Sequence, residues 1–288
     1  MSMILIADGG STKADWIALD NNKNELFRVR TLGLNPAVVP QEELTNRIIN
    51  MFQLINVKDE VEQIHFYGAG CGTPKPVAIL KEVMGAIFTK AEINIAEDIL
   101  AAVYAASGKN PAIVCILGTG SNSCYFDGEQ MHMKVASLGY TLMDEASGNY
   151  FGKQLVRDYY YQKMPKAIAE SFEQQFDLDA DHIKYNLYRQ PNPNMYLASF
   201  AKFMFEFQEE TYVKKTIKKG FKEFFKYRIL PFQLPAETPI YFIGSIAYYF
   251  RNTLEQVAAK YGYTITGVIQ RPIDNLIEYH RNNLVDNL

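Results

Sequence analysis

Two short glycine-rich segments hold the residue types best suited to chemistry. Asp8-Gly9-Gly10-Ser11-Thr12 follows the apolar run Met3-Ile4-Leu5-Ile6-Ala7, and Gly118-Thr119-Gly120-Ser121 follows Val114-Cys115-Ile116-Leu117. Glycines let a backbone approach a ligand closely and turn its N–H groups inward, while Ser and Thr hydroxyls add donors. Each turn could therefore gather phosphate oxygens. Asp8 ends a buried strand just ahead of the first turn, where a carboxylate could hold Mg2+ against phosphates, directly or through water. Lys13 reads either as a phosphate partner or as a solvated turn residue. A pair of hairpin turns, one of them capped by an aspartate, is the plainer alternative, and it explains one such turn better than two. Neither turn is a familiar nucleotide signature. The lysine of GxxxxGK[ST] is missing, and no GxGxxG follows the first strand.

The elements that must position these turns are legible from periodicity. Strands are expected at Met3–Ala7, Trp16–Leu19 and Leu26–Leu32, joined by tight turns. A helix follows over Gln41–Leu54, where Leu44, Ile48, Met51 and Phe52 recur at helical spacing. Gln63–Tyr67 reads as a strand entering the loop Gly68-Ala69-Gly70-Cys71-Gly72. Then come a helix at Pro76–Phe88, a strand at Ala91–Ile95 and a helix at Ile99–Ala106. Strands alternating with helices after an antiparallel start predict a mixed α/β sheet. At Gly108-Lys109-Asn110-Pro111 the pattern breaks and restarts: Ile4–Thr12 overlays Val114–Asn122 without a gap, about 110 residues apart, too far for a solenoid repeat. Two domains of similar design are expected, over residues 1–109 and 110–288. The second carries a helical insertion, with helices at Pro165–Asp177, at Asp181–Tyr188 and within Tyr196–Leu230. The aromatic residues of that last stretch read as packing between helices. Pro239–Ile243 is a further strand, running into Gly244-Ser245 and a helix to about Tyr261; a closing helix spans Pro272–Leu284.

Composition narrows the function classes. A chain of 288 residues with 48% hydrophobic and 21% charged residues can build two globular domains. A formal charge of −3 without a long run of one sign gives no basic stripe for nucleic acid and no grip on an anionic membrane. No apolar stretch approaches the roughly 18 residues needed to cross a bilayer. Met1 to Asp8 reads as a first strand rather than a signal peptide. Cys71, Cys115 and Cys124 form neither a CxxC pair nor a disulfide framework, which suggests a reducing cytoplasm. His65, His132, His182 and His280 are too dispersed for a zinc site.

Taken in order, several segments resemble one family. Asp8-Gly9-Gly10-Ser11-Thr12-Lys13-Ala14-Asp15-Trp16 is similar to the first phosphate motif of the BadF/BadG-type N-acetylglucosamine kinases, and Gly118-Thr119-Gly120-Ser121 to the second. These enzymes belong to the superfamily of sugar kinases, actin and heat-shock chaperone ATPases. Gly33-Leu34-Asn35-Pro36 and Leu138–Gly148 resemble the sugar-site segments, Phe242-Ile243-Gly244-Ser245 the adenosine motif, and Pro272–Leu276 the final helix. The resemblance implies a duplicated ribonuclease-H-like, actin-like ATPase fold, with two domains closing on a nucleotide cleft. It implies ATP and Mg2+ as cofactors, an amino sugar phosphorylated at its primary hydroxyl, and a homodimer. Asp98, in Ala96-Glu97-Asp98-Ile99-Leu100, matches the family's base; a helix cap is the alternative for Asp98, and Glu97 is the neighbouring rival. Asn35 and Asp144 match sugar ligands, Gly70 lines the hinge side, and Gly244 lets adenine approach the backbone. Two departures stand out. Relatives that activate dehydratases hold an iron–sulfur cluster through a Cys-Ala-Ala-Gly-Thr-Gly segment that this chain lacks, and many relatives carry Gly where Ala146 stands. An ATP-driven activator and a catalytically silent sugar or nucleotide sensor remain the competing readings.

Overall fold

The structure is a computed structural model describing residues 2–283. Met1, and Leu284 where the closing helix was expected to end, lie outside the described residues. The chain divides into two compact units. One ends at Gly108 and resumes at Pro272; the other runs Lys109–Arg271.

In the first unit the strands are β1 (Met3–Gly9), β2 (Lys13–Asp20), β3 (Glu25–Leu32), β4 (Val61–Gly68) and β5 (Glu92–Glu97). They order as β3-β2-β1-β4-β5. β1 pairs antiparallel with β2, and β2 with β3, whereas β1, β4 and β5 run parallel. Strict alternation along β1 sends Met3, Leu5 and Ala7 into one core with Trp16, Phe66, Leu80 and Met84. Ile6 goes to the other face, with Ile17, Leu19 and Tyr67, under Ala101 and Ala105. Asp8 shares the parity of Ile4 and Ile6, so it belongs to that second face.

The second unit repeats the scheme with β6 (Ala112–Leu117), β7 (Ser121–Phe126), β8 (Met131–His132), β9 (Ile240–Ile243) and β10 (Gly267–Ile269). The order is β10-β9-β6-β7-β8, again three antiparallel strands continued by parallel ones. Helices between β8 and β9 bury Phe172, Phe200, Phe203, Phe221, Phe224 and Phe225 in one aromatic core, as their helical spacing predicts.

Three expectations change in detail. The helix expected over Gln41–Leu54 is broken into Gln41–Ile49 and Phe52–Asn56, because Asn50 caps the first and Met51 is extended. The helix Gly148–Tyr160 and strands β8 and β10 are additions to the sequence reading. Division by chain order places the last helix with the second domain, yet Ile273–Asn283 packs on helix Asp98–Ala106 and β1 of the first unit. There Ile273, Leu276 and Ile277 cover the second face of the sheet. Among the described residues no helix is long and apolar enough to cross a membrane.

Candidate functional site

In each unit, the sequence-derived candidates gather where the parallel strands end at their carboxyl edge, the place where open α/β sheets bind ligands. In the first unit Gly9, Gly68 and Glu97 are in register across β1, β4 and β5, so their loops emerge side by side. The first turn is closed by the Gly10 amide donating to the Lys13 carbonyl at 2.8 Å; the Gly33 amide reaches the Thr12 carbonyl at 3.0 Å. Asn35 is buried and braces this corner: its Nδ2 donates to Ser11 Oγ at 3.1 Å and its Oδ1 accepts the Ala37 amide at 3.0 Å. Gly70 packs directly against that Asn35 amide. One N–H of the Asn35 amide group remains beyond these bonds, so a ligand role and a bracing role are compatible.

Asp8 opposes Asp15 in the β1–β2 ladder. Burial, and then the charge of Asp15, push the Asp8 carboxyl up to about 7, although Lys13 pulls the other way. Lys13 Nζ is ion-paired with Asp15 at 3.3 Å, and Arg30 Nε holds the same carboxylate at 2.6 Å. Lys13 is thus neither freely solvated nor confined to the turn, since it opens β2.

Asp98 is the first residue of helix Asp98–Ala106, and Glu97 rather than Asp98 occupies the cap position, without a side-chain cap bond. The plain capping role therefore does not account for Asp98. Glu97 lies against Gly72, where an added Cβ would come within 2.9 Å of its Oε1. Both carboxylates lie near Cys71, whose thiol is pushed up to about 12 by burial, then by Asp98 and Glu97.

In the second unit the turn Gly118–Ser121 is clasped from several directions. Gly118 donates to the Gly120 carbonyl at 3.0 Å; the Gly148 and Asn149 amides donate to the carbonyls of Gly118 at 2.8 Å and Thr119 at 3.0 Å. Asp144 Oδ1 accepts the Ser121 amide at 3.3 Å. Burial raises the Asp144 carboxyl, against the lowering effect of Asn149, Ser121 and Arg228. Gly244 has φ +114°, and a Cβ there would meet the Leu117 carbonyl oxygen at 2.4 Å, so only glycine fits between β9 and the second turn. Ser245 begins the helix that follows.

Sequence reasoning missed two residues. Asn149, wholly buried, donates from Nδ2 to the Thr119 carbonyl at 2.7 Å and to Asp144 Oδ2 at 2.8 Å, joining the two segments. Arg228, 1% exposed, pairs with Glu145 at 3.1 Å and reaches the Val135 and Ala136 carbonyls. Its only sequence signal is a cation inside the aromatic run Phe224–Ile229.

The fit to a magnesium nucleotide can be tested on the residues themselves. Ser121 Oγ is buried and has no hydrogen-bond partner among the described residues, which leaves a donor for a phosphate oxygen. Asp8 is a carboxylate whose charge the protein disfavours and a cation would favour. No cluster of three or more His, Cys, Asp or Glu residues suited to a metal exists among the described residues. A single carboxylate suits Mg2+, which keeps its waters and phosphate ligands, better than it suits a metal held in an all-protein cage. The residues fit.

The structure is similar over its whole length to that of a candidate N-acetylglucosamine kinase from Porphyromonas gingivalis, at 34% identity and a TM-score of 0.88, covering 99% of this chain and 100% of that one. A candidate N-acetylglucosamine kinase from Chromobacterium violaceum matches at 14% identity and TM-score 0.76, covering 97% and 99%. A ROK family glucokinase from Streptomyces griseus, solved with glucose and AMPPNP, matches at 12% and 0.56, covering 96% and 97%. These two bear on the fold alone, which is the two-domain actin-like ATPase fold. No family model and no curated protein matches the chain. Full-length identity to the Porphyromonas protein, joined to the ordered motifs and the doubled sheet, places this chain in the N-acetylglucosamine-kinase-like group of the BadF/BadG-type ATPase family.

Proposed function

We propose that this protein is an ATP-dependent kinase of an amino sugar of the N-acetylglucosamine type, with Asp98 as general base toward the primary hydroxyl. The observation that carries it is the full-length match to a candidate N-acetylglucosamine kinase, at an identity high enough to carry family membership. Asp98 supports the base role by its place: it starts a helix directly after β5, where the helix dipole favours the carboxylate form that accepts a proton. A carboxylate set on an acceptor hydroxyl is typically worth about 10²–10⁴-fold in rate. Glu97, held toward Gly72, is the weaker candidate.

Gly9, Gly10, Ser11 and Thr12 in one unit, and Gly118, Thr119, Gly120 and Ser121 in the other, supply the N–H and O–H donors for phosphate oxygens. Gly244 and Ser245 form the adenosine side, Asp8 holds Mg2+, and Asn35, Gly70 and Asp144 bind the sugar. When bound, the metal nucleotide supplies the transferable phosphoryl group with its charge partly neutralised. The protein's own share is to place the hydroxyl, take its proton on Asp98, and keep water from competing as acceptor. The dehydratase-activator alternative is disfavoured because Cys71, Cys115 and Cys124 are all buried, on separate strands and loops. The homodimer rests on family resemblance, and the cytoplasmic setting on the scattered set of three cysteines.

A coupled assay for ADP release over a panel of N-acetylglucosamine, N-acetylmuramic acid, glucosamine and glucose tests the whole reading. Sugar-dependent ADP release is expected, with Asp98→Asn losing about 10²-fold or more in kcat while still binding sugar. Near-normal turnover in that variant removes Asp98 from the base role. Sugar-independent hydrolysis points to the activator, and binding without turnover to a sensor.

A further inference from the structure

An open cleft of about 230 Å³ is lined wholly by residues of the Lys109–Arg271 unit, Leu142, Met143 and Glu145 among them. Pockets for drug-sized ligands run to roughly 300–1,000 Å³, so this one suits a small molecule or a single head group. Its polar wall comes mainly from helix Gly148–Tyr160, which presents Tyr150, Lys153 and Arg157 at helical spacing. Glu145 and Glu223 face them.

The charges do not cancel within the cavity. Glu145 Oε2 accepts from the buried Arg228 Nε at 3.1 Å, and Glu223, which accepts from the Tyr150 hydroxyl at 2.7 Å, is ion-paired with Lys219 at 4.0 Å, so each acid already has a cation that does not line the cavity. Lys153 and Arg157 are not so paired. Among the described residues Lys153 Nζ donates to the Tyr140 carbonyl alone, at 3.0 Å, and keeps further N–H groups. Arg157 has no acidic partner among the described residues; its guanidinium lies 5.9 Å from the Tyr161 ring centroid. A cation in the last turn of a helix complements the dipole, which explains a charge at Arg157 but not its place on a cavity wall beside Lys153. Tyr227, 47% exposed, and Leu142, 72% exposed, add an apolar edge on which the body of a ligand can rest.

We propose that this cavity binds the oxyanion head of a small organic anion, carboxylate or phosphate, through Lys153 and the planar fork of Arg157. The lining includes Met143 and Glu145, the chain neighbours of Asp144, but none of the residues assigned to phosphate or sugar in the kinase reading. The inference stands whether or not that reading holds.

Calorimetric titration of the full chain with inorganic phosphate, glucose 6-phosphate and lactate tests it, with a non-hydrolysable nucleotide present at saturation. Saturable one-to-one binding of at least one probe is expected, weakened about tenfold or more in Arg157→Met and Lys153→Met, the effect of losing a charge-assisted hydrogen bond. Arg157→Lys, which keeps charge but loses the fork, is expected to bind between wild type and Arg157→Met. Lys215→Met, exposed and outside the cavity, serves as the unchanged control. Binding of phosphate and glucose 6-phosphate without lactate assigns a phosphorylated ligand; binding of lactate assigns a carboxylate. No saturable binding below about 10 mM, or an Arg157→Met protein that binds as the wild type does, overturns the proposal.

Discussion

At the scale of single residues, Asp8 faces Asp15 across the β1–β2 ladder, and its carboxyl is shifted up to about 7 by burial and that like charge. The unfolded chain ionises the same group near 3.8, the ordinary value of an aspartate. Stability contributed by protonated Asp8 is therefore whole below pH 3.8 and is lost as pH rises through 7. After allowance for its partial exposure, the cost above pH 7 is roughly 2 kcal/mol. Asp8→Asn, neutral and nearly isosteric, is expected to raise the melting temperature of the ligand-free protein at pH 8 by roughly 4–8 °C and to change little at pH 4. It should also abolish the extra thermal protection given by MgATP. Equal melting shifts at both pH values would refute the assignment. Asp8 and the two glycine turns were singled out from a local pattern, an acid or a glycine at the end of an apolar run, and Asp144 from the family resemblance. Asn149 and Arg228 were not. Arg228 acts on Glu145, Val135 and Ala136, far back in the chain, so no neighbouring residue signals its role. Ala146 was visible as a departure, and the structure gives it a physical meaning: it holds φ +59°, a left-handed position that glycine adopts without strain.

At the scale of elements, the strands were read well because alternation and continuous apolar runs survive in a single sequence. The helix Gly148–Tyr160 was not, since it opens on Gly148 and Asn149 and carries Gly152, poor helix formers that read as loop. Gly152 is where that helix crosses Pro193–Phe200 at backbone contact: an added Cβ would sit 1.7 Å from the Leu197 carbonyl oxygen. The helices must part to admit a methyl group. Gly152→Ala is expected to cost roughly 3 kcal/mol, at the upper end of overpacking penalties, read as a lower urea midpoint. A midpoint within error of the wild type would mean the crossing is looser than described. Helix Gly148–Tyr160 also starts with the amides that clasp the second turn, so the same variant should weaken nucleotide binding.

At the scale of the molecule, the doubling of the sheet was partly legible, because strand-turn-strand repeats itself in sequence. The equivalence of β9 and β10 to β4 and β5 was hidden by the helices inserted between β8 and β9. Also illegible was the return of Ile273–Asn283 to the first unit, since amphipathic spacing shows that a helix has an apolar face but not what covers it. His280 on that helix is buried, with its Nε2 2.9 Å from the Tyr67 hydroxyl and its ring 4.7 Å from His65. Burial, then the charge of His65, push His280 down to about 3, and burial lowers His65 as well. The folded unit thus resists a proton that the unfolded chain accepts near 6.5, so stability is whole above that pH and falls as pH drops toward 3. The loss from His280 by pH 4 is roughly 3 kcal/mol. Trp16, the single tryptophan, is buried in the same unit, and its fluorescence in urea titrations at pH 7 and pH 4 measures the difference. His280→Gln should flatten that dependence; an unchanged slope would exclude His280 as its source.

Because the second unit is spliced between Gly108 and Pro272, the half that the ribosome makes first is completed last. Roughly 160 residues must emerge before the helix that shields Ile6, Ile17 and Leu19, an interval on the order of 10–30 s at about 5–20 residues per second. A nascent chain of this protein carries that sheet face only partly covered, by helix Asp98–Ala106, for that time, a natural substrate for holding chaperones.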